Sequence, residues 1–227
     1  MLAIADDVWQ LPLTPRNAIN AYLIGDVLVD TGIKESADKI ATMVEGRPLS
    51  AIALTHAHAD HAGAMKRVAD RLGVPVWCGE RDRDAAEAGR VVLAPAFRRP
   101  RLNALVGATA GFEPAPVARS LVEGDSLTAG FTVLDTPGHS PGHVSFWREA
   151  DRTLICGDVL FNMHLLTTIP GLRQPPHLFT TDPAENRRSE RRLAALEPAT
   201  VGFGHGPVLR EGAAQRLREF VQTLPPG

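Results

Sequence analysis

The sequence has little of several features that mark particular classes of protein. It contains two cysteines and one tyrosine, and no apolar run approaches the roughly 18 residues that span a membrane. Its formal net charge is -2, so no overall positive field attracts nucleic acid. These scarcities argue against a disulfide scaffold, a membrane protein and a nucleic-acid-binding protein.

The composition that remains is ordinary for a globular protein. Hydrophobic residues make up 44% and charged residues 22% of 227 residues. The length suits one domain better than two, so we expect a single domain over residues 1–227, present as a monomer or homodimer. The first residues lack a basic start followed by a long apolar run, which predicts a cytoplasmic location.

The two cysteines, Cys78 and Cys156, each lie in an apolar run typical of a strand. This placement favours two buried free thiols, with a disulfide between them as the alternative.

Apolar runs and turn residues predict alternating strands and helices. Two strands, in NAYLIGD and VLVDTG, meet at Gly25-Asp26, which suits a hairpin turn. Further strands are predicted in LSAIALTH, PVWCG, FTVLDTPG, HVSFW, RTLICGD and TVGFGHG. Helices are predicted in KESADKIATMVEG, DHAGAMKRVADRLG, ERDRDAAEAG, PAENRRSERRLAAL and EGAAQRLREFVQTL. This alternation favours an α/β fold of stacked sheets covered by helices.

Two local features refine this prediction. Asp182 before Pro183 is expected to cap a helix. Residues 91–120 contain four prolines and are expected to form an irregular surface excursion that overhangs a site.

The segment HAHADH places three histidines and one aspartate within six residues, His56 to His61. In an extended turn His56 and His58 point to one side, whereas Asp60 and His61 point toward a neighbouring position. Four ligands so placed suit two metal ions better than one. Zinc accepts imidazole and carboxylate ligands, as do iron and manganese.

Three later residues extend this cluster: His139 in DTPGHSPGH, Asp158 in CGDVLF and His205 in GFGHGP. Each follows a predicted strand in a glycine-bearing turn, where the backbone can bring a side chain close to a shared point.

The chain has an HxHxDH motif followed by a histidine, an aspartate and a histidine. This order of residues resembles that of the metallo-β-lactamase superfamily. The resemblance implies a four-layer αββα sandwich of two mixed β-sheets flanked by helices. It implies two zinc ions, with iron or manganese as alternatives, and a shared hydroxide that attacks a carbonyl of a small-molecule substrate. One metal would be held by His56, His58 and His139, the other by Asp60, His61 and His205, and Asp158 would bridge them.

Other residues take supporting roles under this interpretation. Asp60 is also a catalytic candidate, because its carboxylate can pass a proton to the leaving group. Asp30 resembles a buried aspartate that accepts a hydrogen bond from a ligand histidine, with an ordinary turn aspartate as the alternative. His143 is interpreted as a supporting or packing residue behind the ligands.

Substrate-pocket candidates follow Asp158 in the chain. Phe161 stands where lactonases of this fold usually have a tyrosine, and His164 and His177 flank LLTTIPGLRQPP, which is expected to form a pocket wall.

The segments GDVLF, GFGHGP and TPGHSPGHVSF look most like the glyoxalase II-like (hydroxyacylglutathione hydrolase-like) branch, which hydrolyses thioesters. The basic and aromatic residues that hold glutathione in that branch are replaced here by NMHLLTTIPGLRQPP. In that branch a C-terminal helical domain also contacts glutathione, whereas 22 residues follow His205 in this sequence. We therefore expect hydrolysis of a thioester or another ester or lactone, without glutathione as the fixed partner.

Several alternatives stay open. Lactonase, phosphodiesterase and β-lactamase activities occur on the same fold. A mononuclear iron persulfide dioxygenase would use the positions of His56, His139 and Asp158. A non-catalytic binding protein is the remaining alternative.

Overall fold

Two mixed β-sheets lie face to face in the computed structural model, which describes residues 1–92 and 111–226. The first sheet has seven strands in chain order: β1 (Leu2–Ala5), β2 (Val8–Pro12), β3 (Asn20–Ile24), β4 (Val27–Val29), β5 (Ala51–Leu54), β6 (Val76–Gly79) and β7 (Val117–Leu121). Strands β1 to β4 pair antiparallel, and β4 to β7 pair parallel.

The second sheet has four strands. These are β8 (Thr132–Asp135), β9 (Val144–Arg148), β10 (Thr153–Ile155) and β13 (Thr200–Gly202), arranged in the order β13-β10-β9-β8. Strand β10 pairs parallel with β13 and antiparallel with β9. A separate antiparallel hairpin, β11 (Phe161–Met163) with β12 (Pro170–Arg173), follows β10 in the chain.

Helices cover the outer faces of both sheets. They are α1 (Ala37–Met43), α2 (Met65–Leu72), α3 (Arg83–Glu87), α4 (Pro183–Ala195) and α5 (Ala213–Gln222). Buried residues of α1 and α2 belong to the same apolar cluster as the outer face of the first sheet, and those of α4 and α5 to the cluster on the second sheet. None of the helices within the described residues has the length and apolar content needed to cross a bilayer.

Strand side chains alternate between the layers, as the pleat of a strand requires. In β4, Leu28 packs outward beneath the helices, whereas Val27 and Val29 face the second sheet. In β10, Leu154 faces the outer helices and Ile155 faces the first sheet. The predicted αββα sandwich of two mixed sheets flanked by helices is therefore confirmed.

Most predicted elements are present near their expected positions. The Gly25-Asp26 pair joins β3 to β4, with Gly25 at a φ of 53°. Asp182 caps α4, since its carboxylate accepts hydrogen bonds of 3.0 Å from the backbone N–H groups of Ala184 and Glu185. Cys78 and Cys156 are buried free thiols, and burial raises the pKa of both.

Five strands of the described residues are missing from the sequence prediction: β1, β2, β7, β11 and β12. Strands β1 and β2 were absent from it, although they pair across a turn in which Asp7 has a φ of 52°. The prediction that residues 91–120 are irregular was wrong at the end of this segment, where strand β7 pairs with β6. Strand β12 was also missed, because its sequence PGLR contains proline and glycine, which are rare in strands. The rest of the expected overhang, residues 93–110, lies outside the described residues.

Candidate metal centre

The seven predicted ligand residues lie on four loops at one end of the sandwich. The loop after β5 carries His56, His58, Asp60 and His61, and the loop between β8 and β9 carries His139. Asp158 follows β10 and His205 follows β13. Each sheet therefore contributes ligands to one cluster.

The cluster is centred on the carboxylate of Asp158. Its Oδ2 atom lies 3.2 Å from Nε2 of His205 and 3.3 Å from Nε2 of His61. The same oxygen lies 3.5 Å from Nε2 of His139 and 4.0 Å from Nε2 of His56. Four imidazoles from three loops thus surround one buried carboxylate oxygen.

The ligand atoms form groups that could each hold an ion. Within each group the ligand atoms lie no more than 4.8 Å apart. The first group is His56, His58 and His139, the second is Asp60, His61 and His205, and the third is His56, His61 and Asp158. Nδ1 of His58 lies 3.0 Å from Nε2 of His139. The first two groups match the division into two metal sites that the resemblance implies.

Several of these atoms are buried without a partner. Among the described residues, Nε2 of His56, Nε2 of His61 and Oδ1 of Asp158 make no hydrogen bond. Burying a polar atom without a partner costs free energy, so such atoms need an explanation. Imidazole nitrogens and a carboxylate are ligands of divalent zinc and iron, so the residues fit a metal centre.

The other ring nitrogen of two histidines is held by a group outside the centre. Nδ1 of His61 lies 2.8 Å from Oδ2 of Asp30. Asp30 is buried and also accepts hydrogen bonds of 2.8 Å from the backbone N–H and the hydroxyl of Thr55. Nδ1 of His205 donates to the carbonyl of Ala18 at 2.6 Å. These contacts orient the free Nε2 atoms toward the centre.

Two further histidines of the cluster, His58 and His139, are held in similar ways. Nε2 of His58 donates to the carbonyl of Val92 at 2.9 Å, which leaves Nδ1 for the centre. Nδ1 of His139 lies 3.3 Å from the hydroxyl of Thr180. Neither Val92 nor Thr180 was predicted from the sequence, and a backbone carbonyl such as that of Val92 leaves no signal in a sequence.

The histidines of the cluster fall into two classes by the direction in which their pKa is shifted. Burial, followed by neighbouring imidazoles, lowers the pKa of His56 and His139 well below its usual value. For His205 burial acts in the same direction, but Asp158 and Asp60 outweigh it and raise the pKa to about 10. Asp158 and Asp30 likewise raise the pKa of His61. Because a metal ligand must be unprotonated, a metal ion bound by His61 and His205 would have to displace their protons.

Asp60 is the most accessible carboxylate of the cluster. Its side chain is 39% exposed, and its Oδ2 lies 3.3 Å from Nε2 of His205. Burial opposes its ionisation, but the hydrogen bond from His205 and the nearby His61 hold the pKa below its usual range. An ionised carboxylate at the edge of the centre can both bind a metal and accept a proton.

His143 lies behind Asp158 rather than among the ligands. Its Nε2 accepts a hydrogen bond of 3.0 Å from the backbone N–H of Asp158, and its Nδ1 lies 2.8 Å from the hydroxyl of Thr136. Burial lowers the pKa of His143 to about 3, so the ring is neutral. It therefore holds the backbone of the central aspartate.

The two pocket candidates lie at different distances from the centre. The ring of Phe161 is 4.4 Å from the ring of His205 and 6.4 Å from that of His139, measured between centroids. His164 is half-buried on the loop after β11 and lines a neighbouring pocket. His177 is exposed.

Asp82 is a buried residue whose role was not predicted from the sequence. Its carboxylate accepts hydrogen bonds from the backbone N–H of Ala57, the hydroxyl of Ser140 and the backbone N–H of Gly142. Ala57 belongs to the HAHADH loop, and the other two donors belong to the loop of His139. Asp82 therefore joins two ligand-bearing loops.

Gly204 lies where no side chain fits. A Cβ atom at this position would overlap Oδ1 of Asp158 and Cε1 of His61. The glycine before His205 thus lets the β13 loop approach the central carboxylate closely.

Comparisons with known proteins agree with this arrangement. The profile described as the Metallo-beta-lactamase superfamily matches residues 14–205. The chain is 31% identical to the probable metallo-hydrolase YflN of Bacillus subtilis, over 95% of this chain and 85% of YflN. The crystal structure of TTHA1623 in a di-iron-bound form superposes with a TM-score of 0.67 at 33% identity, covering 93% of this chain and 99% of that one.

The likeness to the glyoxalase II-like branch is partial. A hydroxyacylglutathione hydrolase of Bdellovibrio bacteriovorus is 30% identical over 51% of this chain and 36% of its own length. The family profile, by contrast, spans every predicted ligand from His56 to His205. On this evidence the chain belongs to the metallo-β-lactamase superfamily.

Proposed function

We propose that this protein is a hydrolase that uses two divalent metal ions to cleave a small-molecule thioester or a related ester or lactone. The observation that carries the proposal is the convergence of four histidine Nε2 atoms within 4.0 Å of Oδ2 of Asp158. A buried carboxylate in this position suits an aspartate that bridges two metal ions. Because both sheets supply ligands, we propose that residues 1–227 act as one catalytic domain.

The proposed ligands form two sets that share Asp158. His56, His58 and His139 form one set, and Asp60, His61 and His205 form the other. Two divalent ions bound there would activate a water molecule near neutral pH and polarise the scissile carbonyl. We propose zinc for both sites, with iron as the alternative favoured by the di-iron-bound form of TTHA1623.

The chain's own residues would orient and protonate the substrate. Asp60 lies at the accessible edge of the centre, where its carboxylate can pass a proton to the leaving thiolate or alkoxide. Phe161 is 3% exposed and packs against His205, so it supplies an apolar side chain beside the proposed metal centre. Asp30 and His143 hold His61 and Asp158 in position.

An iron-dependent dioxygenase is the second candidate function. The di-iron-bound form of TTHA1623 shows that a relative of 33% identity binds iron. A single iron held by His56, His139 and Asp158 would act on a persulfide and consume oxygen.

The test is a substrate panel with the metal-loaded protein. Thioester, lactone, β-lactam and phosphodiester substrates would be compared, together with oxygen uptake on a glutathione persulfide. We expect hydrolysis of the thioester or another carboxylic ester, with a loss of at least about 100-fold in His58→Ala, since ligand loss disturbs the catalytic metal. The control His177→Ala, which changes an exposed histidine, should keep the activity.

Other outcomes would overturn the proposal. Oxygen uptake with one iron per chain and no hydrolysis would favour the dioxygenase. Cleavage that persists in His58→Ala would show that the cluster is not the catalytic centre.

A further inference from the structure

A cavity near the candidate metal centre is lined in part by Phe161, whose ring contacts that of His205. It has a volume of 410 Å³, within the range of small-molecule binding sites. Its apolar lining comes from the β11–β12 hairpin with its loop and from the turn before α4, through Phe161, Met163, Leu165, Leu166, Pro176 and Phe179. We call this cavity the hairpin pocket.

Both walls of the hairpin pocket are linked by non-covalent contacts to proposed metal ligands. On the hairpin side, the ring of Phe161 lies 4.4 Å from the ring of His205. On the opposite side, the hydroxyl of Thr180 donates to the carbonyl of Pro176 at 3.0 Å and lies 3.3 Å from Nδ1 of His139. A ligand in this pocket would therefore touch side chains that contact, or are hydrogen-bonded through Thr180 to, two of the proposed metal ligands.

The pocket is apolar, and part of its lining is exposed to solvent. Leu166 is 90% exposed and Phe179 is 52% exposed. Arg173 and Gln174 supply polar groups, and the amide of Gln174 is already engaged with the carboxylate of Glu190. Exposed apolar residues grouped around a cavity are a sign of a binding site.

We infer that the hairpin pocket binds the aliphatic acyl group of the substrate, which makes the substrate class a medium-chain acyl thioester or ester. The inference rests on the proposed hydrolase function. An acyl chain suits an apolar pocket whose wall, Phe161, is shared with the metal centre. A charged, polar leaving group such as glutathione would find few partners there beyond Arg173 and His164.

The test uses a chain-length series on the metal-loaded, full-length protein. N-acetylcysteamine thioesters of acetate, butyrate, hexanoate and octanoate share one leaving group and differ only in the acyl chain. Each methylene that enters an apolar site is worth up to about fourfold in kcat/KM. We expect kcat/KM to rise by about 10- to 100-fold from acetyl to octanoyl.

Two variants connect this dependence to the pocket. Leu166→Ala and Phe179→Ala should lower the ratio of octanoyl to acetyl kcat/KM by about three- to tenfold, because each removes apolar contact area. Leu166 is almost fully exposed, so its replacement should not affect folding. The control Leu178→Ala changes an equally exposed neighbour of Phe179 and should leave the ratio unchanged.

A binding measurement separates this inference from the proposed function. Calorimetric titration of the metal-loaded protein with octanoate should detect binding that acetate lacks and that Leu166→Ala weakens. If octanoate binds in this way but no ester is cleaved, the pocket assignment stands and the hydrolase function fails.

If thioesters are cleaved without chain-length dependence and octanoate does not bind, the function stands and the pocket assignment is wrong. A change of oligomeric state in both variants, with an unchanged chain-length ratio, would instead identify this surface as an interface between copies of the chain. That result would also overturn the inference.

Discussion

Oδ1 of Asp82 accepts a hydrogen bond of 2.7 Å from the backbone N–H of Gly142. Its other oxygen, Oδ2, accepts hydrogen bonds from the Ser140 hydroxyl at 2.5 Å and from the backbone N–H of Ala57 at 3.0 Å. One buried carboxylate thus fixes the spacing between the HAHADH loop and the loop of His139. The geometry of the metal centre therefore depends on a residue outside the ligand set.

Replacing Asp82 with asparagine should weaken both folding and metal binding. The amide keeps one acceptor and places a donor against a hydroxyl or a backbone N–H, so we expect a loss of about 1–3 kcal/mol in the free energy of unfolding. Urea denaturation and competition with a chelator measure the two effects. The control Asp84→Asn changes an exposed carboxylate two residues away and should alter neither. Equal metal affinity in Asp82→Asn and the wild type would contradict a positioning role.

Replacing Asp30 with asparagine should reduce metal affinity. The carboxylate accepts the Nδ1–H of His61, and an amide donor at that oxygen would favour the tautomer with its proton on Nε2, the atom that faces the centre. We expect affinity to fall by about 10- to 100-fold. Chelator competition measures the loss, and Asp38→Asn, on the exposed surface of α1, is the control. An unchanged affinity would mean that Asp30 does not set the His61 tautomer.

Glu190 gives the chain a pH-dependent stability away from the ligands. It is buried, and desolvation raises its pKa to about 7, although Gln174 and Asn186 donate hydrogen bonds to its carboxylate. The folded state therefore holds this proton more tightly than the unfolded state. The resulting stabilisation is fully present below the ordinary pKa near 4.5 and is lost as the pH rises through 7.

Glu190→Gln should remove this pH dependence. The wild type should lose on the order of 2–3 kcal/mol more than the variant between pH 5 and pH 8, measured by urea denaturation at each pH. Glu211→Gln replaces an exposed glutamate and should follow the wild type. Parallel curves for wild type and Glu190→Gln would show that Glu190 is ionised in the folded protein throughout this range.

The sequence was most informative at positions where a side chain that can bind a metal follows a predicted strand. His56, His139, Asp158 and His205 were predicted to approach one point because each follows an apolar run in a glycine-bearing turn, and the structure brings them together. The sandwich was predictable for a related reason, since alternation and turn residues are local properties of the chain.

The residues that escaped prediction owe their position to long-range packing. Asp82 lies between Glu80 and Asp84 in a charged segment, and its composition does not separate it from these exposed neighbours. Its burial arises only when the turn before α3 meets the loop of His139. The carbonyls of Ala18 and Val92, which hold two ligand histidines, carry no side-chain signal at all.

Strand β7 was missed for a similar reason. The segment VARSL has a weak apolar pattern and follows two prolines, yet pairing with β6 makes it the edge of the seven-stranded sheet. Tertiary context outweighs local preference there.

The metal content of the purified protein tests the central proposal most directly. Protein prepared without chelator would be analysed by elemental mass spectrometry beside His58→Ala, His61→Ala and the surface control His177→Ala. We expect about two zinc or iron ions per chain in the wild type and in His177→Ala, and about one or fewer in each ligand variant. A wild type that binds no metal, or ligand variants that bind as much as the wild type, would contradict a dinuclear centre at these residues.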